Sequence, residues 1–228
     1  MLSALSNDPM YFPPLETAFD NGLLAYGGDL SPQRLLSAYT KGIFPWYDNN
    51  SPILWWSPDP RCILLPENFR IPKTIQRELK KCTFSVTINN AFTEVITACA
   101  TLPRTKQKGT WITQDMKMAY IQLHKLGFSH SIEVWDNSTL VGGLYGVALG
   151  KAFFGESMFH IAPHASKLAL VWLAQYLWSY NFDFIDCQMP TTHIMRYGAT
   201  LISRNEFLTR LTIAVTTGTS QASTKEAL

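Results

Sequence analysis

The stretch LVGGLYGVALGKAFFGESMFH, from Leu140 to His160, narrows the folds open to this chain more than any other. Two apolar runs of strand-like composition are separated only by Gly150 and Lys151, and so short a connection can join only antiparallel neighbours. The stretch therefore predicts two long paired strands inside a sheet. Gly142, Gly143, Gly146 and Gly155 fall within them, where glycine marks a bulge or a close approach to the backbone. A carboxylate, Glu156, interrupts the apolar run. A second anomaly follows in FIDCQ, where Asp186 and Gln188 are two apart and would project from one strand face. Polar groups in such surroundings need partners or a task, and three of them on neighbouring apolar strands point to a site.

Around this hairpin, strand and helix patterns alternate. HSIEVWD is tied to the hairpin by the short turn DNS and extends it into an antiparallel meander, while RCILLP, TFSVTI and FIDCQ are further strand candidates. Helical periodicity marks residues 72–81, AFTEVITACA, QDMKMAYIQLHKL, SKLALVWLAQYLWSY and NEFLTRLTIAV. The helix from Ser166 is apolar almost all round, which predicts a buried, central position. Ser203 and Glu206 open the last helix in capping-box spacing. The fold class expected is α+β (mixed α/β), with a mixed, largely antiparallel sheet flanked by helices.

The first sixty residues read differently, being rich in proline, glycine and aromatics. SPQRLLSAYTKG is a compact helix with Ser31 as N-cap, Pro32 in its first turn and Gly42 just past its end. In FPP, GIFPW and ILWWSPDPR proline prevents long regular elements. The organisation expected is a small N-terminal subdomain, residues 1–62, packed on a larger domain, 63–215, with a tail of tail-like composition at 216–228.

With 228 residues, 46% of them hydrophobic, the chain can bury a sizeable core. Its longest apolar run, LALVWLA, is too short to span a bilayer, and MLSALSNDPM lacks a basic start followed by an apolar stretch, so no membrane association and a cytoplasmic location are expected. Cys62, Cys82, Cys99 and Cys187 fall singly, as free thiols in a reducing compartment do. A net charge of +2 does not announce a polyanion partner, but its distribution does. RIPKTIQRELKK, residues 70–81, carries five basic residues against Glu78 alone, and a helix there gathers Lys73, Arg77, Lys80 and Lys81 on one side and Ile71, Ile75 and Leu79 on the other. A second basic loop, PRTKQK at 103–108, adds to the footprint.

The segments GLLAYGGDLSPQRLLSAYTKGIFPW, ILWWSPDPR, GTWIT, HSIEVW, LVGGLYGVALGKAFFGESMF, ASK and IDCQ, in this order over residues 20–200, resemble leucyl/phenylalanyl-tRNA protein transferases. The resemblance implies a larger domain similar to the GNAT acyltransferase fold. It implies transfer of Leu or Phe, with Met as a third candidate, from aminoacyl-tRNA to proteins with N-terminal Arg or Lys, which marks them for N-degron degradation. It places Asp186 and Gln188 at the reacting centre, Trp46 and Trp111 beside the tRNA 3′ adenosine, and Leu144, Phe153, Met158, Leu170, Leu173 and Ile185 around the donor side chain. Leu144 stands where the pattern has Met, and Leu173 where it has Phe. Glu156, of the GES motif, would hold either the acceptor's ammonium or the terminal ribose. The basic helix would hold the tRNA body, and a monomer is expected.

The implied chemistry suits these residues. An aminoacyl ester is already activated, so the enzyme must place a neutral amine and stabilise an oxyanion, without metal or other cofactor. A free α-amine of pKa ~8 is about a tenth neutral at pH 7, so modest base assistance suffices. Gln188 is a very weak base and suits orientation of the amine; Asp186 suits its developing positive charge. Three other readings compete. Glu156, His160 and His164 would suit zinc if they shared a helix, which Pro163 opposes. An acyl-CoA-dependent N-acyltransferase needs a glycine-rich pyrophosphate loop after a strand, which is missing. A non-catalytic RNA- or peptide-binding module leaves Glu156, Asp186 and Gln188 without a task.

Overall fold

A computed structural model describes residues 2–103 and 111–217. The basic loop after Pro103, the first two residues of GTWIT and the tail beyond residue 217 lie outside them.

The proline-rich start of the chain forms four short strands: β1 (Ser3–Ala4), β2 (Leu23–Tyr26), β3 (Phe44–Pro45) and β4 (Leu54–Trp56), in the order β1-β2-β4-β3. They are too short to show periodicity, and side-chain bonds fix them instead: the Trp55 indole donates to the Gly27 carbonyl at 2.9 Å and the Trp56 indole to that of Trp46 at 2.7 Å. Helix α1 (Pro32–Thr40) lies between β2 and β3, and the Ser31 hydroxyl accepts from the Arg34 amide at its N-cap.

The larger sheet has seven strands: β5 (Arg61–Leu64), β6 (Ser85–Ile88), β7 (Ser129–Asp136), β8 (Thr139–Leu149), β9 (Ala152–His160), β10 (Phe184–Gln188) and β11 (Thr200–Ile202). Their order is β11-β5-β10-β9-β8-β7-β6, and every neighbouring pair is antiparallel except β9 with β10. The hairpin of β8 and β9 is as the sequence predicts; the edge strand β11 has no counterpart among the expected elements. Between these strands lie α2 (Lys73–Leu79), α3 (Phe92–Thr101), α4 (Gln114–Lys125), α5 (Ala165–Ser179) and the single turn α6 (Thr192–Met195), and α7 (Arg204–Thr217) follows the last of them. The Glu206 amide donates to the Ser203 hydroxyl at 3.2 Å, half of the expected capping box.

Alternation along the strands divides the apolar side chains between two cores. One unites Leu24, Tyr39 and Trp55 of the N-terminal part with Val95, Tyr120, Phe154 and Phe207. The other lies beneath α5 and includes Leu144, Phe153, Leu170, Leu173, Leu177 and Ile185. Each such fully buried side chain contributes about 1.5–3 kcal/mol. Helix α5 is less enclosed than its sequence predicts: Ala165, Ala169, Leu170, Leu173 and Leu177 face the core, while Trp172 and Tyr176 stack 4.8 Å apart along its half-buried outer side. Its first turn lies directly on β8, where a Cβ at Gly142 would come within 2.5 Å of Ala165 Cβ. Among the described residues no helix is long and apolar enough to cross a membrane.

Candidate active site

The parallel neighbours β9 and β10 stay in register only as far as the pair Phe154 and Asp186, and then part. A cavity of about 440 Å³ opens in the gap, with Gly155, Glu156, Ser157 and Met158 on one side and Asp186, Cys187, Gln188 and Met189 on the other. Two irregularities aim side chains into it. Between β8 and β9, Tyr145 pairs with Ser157 and Gly146 with Gly155, which leaves Glu156 as the extra residue of a bulge. Between β10 and β5, Asp186 pairs with Ile63 and Gln188 with Cys62, which leaves Cys187 unpaired. Gln188 itself takes φ +55°, a left-handed conformation uncommon outside glycine. Simple alternation therefore does not extend from Asp186 to Gln188 as the sequence suggests, although both border the cavity.

The Asp186 carboxylate is fully buried, and both its oxygens are engaged. Arg61 Nε donates to Oδ1 at 2.9 Å and a terminal guanidinium nitrogen donates to Oδ2 at 2.6 Å. The other terminal nitrogen donates to the Gly42 carbonyl at 3.1 Å, and the guanidinium lies between the rings of Phe44 and Phe207, 4.9 and 4.5 Å from their centroids. The Gln188 amide also donates to Asp186 Oδ1, at 2.9 Å, so the ion pair holds the left-handed turn in place.

A second polar group surrounds Glu156. The Tyr39 hydroxyl donates to Oε1 at 2.7 Å, the Tyr120 hydroxyl reaches Oε2 at 3.1 Å, and the two hydroxyls bond to each other. Gln188 Nε2 lies 3.4 Å from Oε1. The three oxygen–oxygen contacts need three protons and the tyrosines bring two, so the ring closes fully only when Glu156 is protonated. Burial pushes the Glu156 carboxyl up to about 7, against the opposing effect of the tyrosine hydrogen bonds. Burial also holds both tyrosines well above their ordinary range, so they remain donors.

The structure brings most of the expected residues together. Glu156, Asp186, Gln188, Trp46, Trp111, Leu144, Met158, Leu170, Leu173 and Ile185 all border the cavity. Phe153 does not: it is fully buried in the core beneath α5, its ring against Gly146. Trp46 and Trp111 pack against the core that contains Tyr39 and Tyr120, whereas Leu144, Leu170, Leu173 and Ile185 belong to the other core, so the cavity has an aromatic wall and an aliphatic one. Lys73, Arg77, Lys80 and Lys81 are solvent-exposed; α2 ends at Leu79, so the last two lie beyond it. This element lies next to the start of α5, with His164 Nε2 4.0 Å from a Glu78 oxygen. Glu156 and His160 lie on a strand, so the helical face imagined for zinc does not form, and among the described residues no group of three His, Cys, Asp or Glu could hold a metal.

Sequence reasoning missed Arg61, Tyr39, Tyr120 and His193. Arg61 carried a usable signal, a charge at the head of the apolar run RCILLP. The tyrosines look like ordinary core aromatics. His193 borders the cavity from α6, its Nε2 without a partner, and burial lowers its proton affinity.

The pattern described as "Leucyl/phenylalanyl-tRNA protein transferase" matches residues 63–212, and that of the N-terminal domain of the same proteins matches 28–59. The chain belongs to this family. Among relatives named leucyl/phenylalanyl-tRNA–protein transferase, that of Legionella pneumophila is 56% identical over 197 residues, 86% of this chain and 88% of that protein. The transferase of Nitratidesulfovibrio vulgaris is 52% identical over 207 residues, covering 91% and 88%. That of Solidesulfovibrio magneticus is 54% identical over 211 residues, covering 92% and 85%. Among solved structures, a GCN5-related N-acetyltransferase from Kribbella flavida covers 75% of the chain and 61% of its own, at 8% identity and a TM-score of 0.36.

Proposed function

We propose that this cavity moves Leu or Phe from the 3′ end of aminoacyl-tRNA to the α-amine of a protein that begins with Arg or Lys. The observation that carries the reading is the gap between β9 and β10, which places Glu156, Gln188 and Asp186 between an aromatic and an aliphatic wall. Trp46 and Trp111 supply planes on which the terminal adenine stacks, worth roughly 1–3 kcal/mol per base without readout of its identity. Leu144, Met158, Leu170, Leu173 and Ile185 enclose the donor side chain, and Phe153 supports that wall from behind. The ester is already activated, so the chain's own residues need only place the amine and take its proton.

Glu156 takes that proton. Its carboxylate form accepts a proton from the neutral amine as the C–N bond forms, and Tyr39, Tyr120 and the Gln188 side chain hold it in position. Gln188 Nε2 is turned toward Glu156, which leaves its amide oxygen to orient the amine. Asp186 acts through Gln188 and is a positioning residue: its oxygens are occupied by Arg61 and by the Gln188 amide. The amine attacks the ester carbonyl and a tetrahedral intermediate forms; as it collapses the C–O bond breaks, and protonated Glu156 returns the proton to the ribose oxygen, which leaves as its hydroxyl.

The remaining parts belong to the same proposal. Residues 1–62, apart from Arg61 and Cys62 at the head of β5, form a subdomain that contributes Trp46 and Tyr39, and 63–215 form a GNAT-like domain whose sheet parts to admit the ester. A cytoplasmic monomer is part of the same proposal. Mass analysis of peptides beginning with Arg, Lys, Asp or Ala, incubated with differently charged tRNAs, tests the reading. Leu or Phe should add to the basic peptides alone, and transfer of Asp or Lys would contradict the apolar wall.

Selectivity follows from shape. Leu173→Phe should fill part of the cavity and disfavour Phe relative to Leu as donor by roughly 10- to 200-fold in kcat/KM, the range a hydrophobic pocket achieves for small changes of size. An unchanged donor ratio would move the pocket elsewhere. The exposed cations of α2 and the two lysines after it should contact phosphates. Replacing Lys73, Arg77, Lys80 and Lys81 together by Ala should weaken binding of charged tRNA and make its salt dependence shallower, by up to about 0.9 for each phosphate no longer neutralised. An unchanged salt slope would remove this surface from the interface.

A further inference from the structure

Cys187, the unpaired residue of the β10 bulge, lies opposite Cys62 of β5. Both side chains belong to the core beneath α5, on the face away from Arg61 and Asp186, where they neighbour each other, and Cys187 Sγ lies 3.7 Å from the Ile185 carbonyl oxygen. Their exposure differs: Cys187 borders the cavity, whereas Cys62 is fully buried behind it. We infer that Cys62 and Cys187 form an oxidation site, a dithiol that a peroxide converts to a disulfide beside the reacting centre and a thiol reductant restores.

The geometry gives each thiol a part. Peroxide entering the cavity meets Cys187 first. Its sulfur attacks the O–O bond; one oxygen stays as a sulfenic acid, and the other leaves as water with the thiol's proton. Cys62 Sγ then attacks Cys187 Sγ, the S–O bond breaks, and the departing hydroxide takes the Cys62 proton as a second water. Two thiols and one hydrogen peroxide thus give one disulfide and two waters, the thiols losing two electrons and the peroxide gaining them. The neighbouring thiols pull in opposite directions: Cys187 holds the Cys62 thiol below the ordinary range, which suits the second step, while Cys62 and burial hold the Cys187 thiol above it, so attack on peroxide is the slow step and needs excess peroxide.

The consequence for transfer lies in the neighbours of Cys187. Asp186 and Gln188 flank it, and the Gln188 amide depends on Asp186 Oδ1. A disulfide of about 2.05 Å draws Cys187 toward β5 from the thiol–thiol contact and shifts the turn that presents Gln188. A displacement of about 1 Å at such a group can cost roughly a hundredfold in rate. This effect on rate rests on the proposed function, whereas formation of the bond does not.

The test treats the full chain with hydrogen peroxide, blocks free thiols by alkylation, and maps peptides by mass without reduction. The expected product is a linked pair of peptides containing Cys62 and Cys187, two hydrogens lighter than their sum, with Cys82 and Cys99 unlinked. Single-turnover transfer should fall by roughly a hundredfold and return on addition of dithiothreitol. Cys62→Ala should transfer at the parent rate before treatment and give no linked pair after it. The map of the parent chain decides the chemistry even if the variant folds poorly. Cys62 still open to alkylation after peroxide, with no linked pair, would overturn the site. A linked protein that transfers at the full rate would overturn its control of the reaction.

Discussion

Glu156→Gln is expected to lower single-turnover transfer by roughly a hundred- to ten-thousandfold, the contribution typical of a positioned acid–base group. The replacement keeps size and hydrogen bonding and removes the proton acceptor. The pH profile separates this role from a merely structural one. With the Glu156 carboxyl at about 7, the parent rate should rise through neutral pH as the carboxylate form appears. The variant should retain only the inflection of the substrate amine near pH ~8. Stability should move the opposite way. The folded carboxyl binds its proton more tightly than an unfolded one of about 4.5, so the folded state loses stability as pH rises from about 4.5 to about 7. That slope of Tm against pH should be reduced in Glu156→Gln. A variant with the parent's rate and pH profile would leave Glu156 without a part in proton transfer.

The second large effect concerns Arg61 and Asp186, the buried ion pair behind the turn. Arg61→Met or Asp186→Leu alone leaves one charge buried without its partner, which should cost about 3–5 kcal/mol of folding stability by denaturant titration. The double variant removes both charges and should recover most of that loss, since an apolar pair of similar volume is often as stable as a buried ion pair. Transfer should not recover with it. The Gln188 amide loses its acceptor, and single-turnover transfer in the folded double variant should remain roughly ten- to a thousandfold below the parent while charged-tRNA affinity stays within a few-fold. Asp186→Asn, which keeps an oxygen for that amide, should transfer faster than the double variant. A double variant that is stable and fully active would reduce the pair to a structural element of the core.

Both predictions rest on features with unequal standing in the sequence. The β8–β9 hairpin, α1 with its Ser31 cap and α7 with Ser203 were legible because two-residue turns and capping residues act over a few positions. Glu156, Asp186 and Gln188 stood out as polar residues in apolar strands, and nearly all the expected aliphatic wall assembled from the same strands and α5. Phe153 did not join it, since membership of an apolar strand does not say how deep a ring lies. The short strands of the N-terminal part escaped notice because too few residues are involved for a period to appear.

What the sequence determined by itself is the set of elements, their apolar faces and the family to which the chain belongs. The tertiary structure alone decided that Arg61 occupies both oxygens of Asp186, that Tyr39 and Tyr120 close a ring with Glu156, and that bulges turn Glu156 and Gln188 toward one gap. The reason is range. Hydrophobic periodicity and capping are local and survive in the order of residues, whereas the Arg61–Asp186 pair spans 125 positions and the Tyr39–Glu156 bond 117. A bulge, likewise, is a property of two strands in register, and neither strand carries that register in its own sequence.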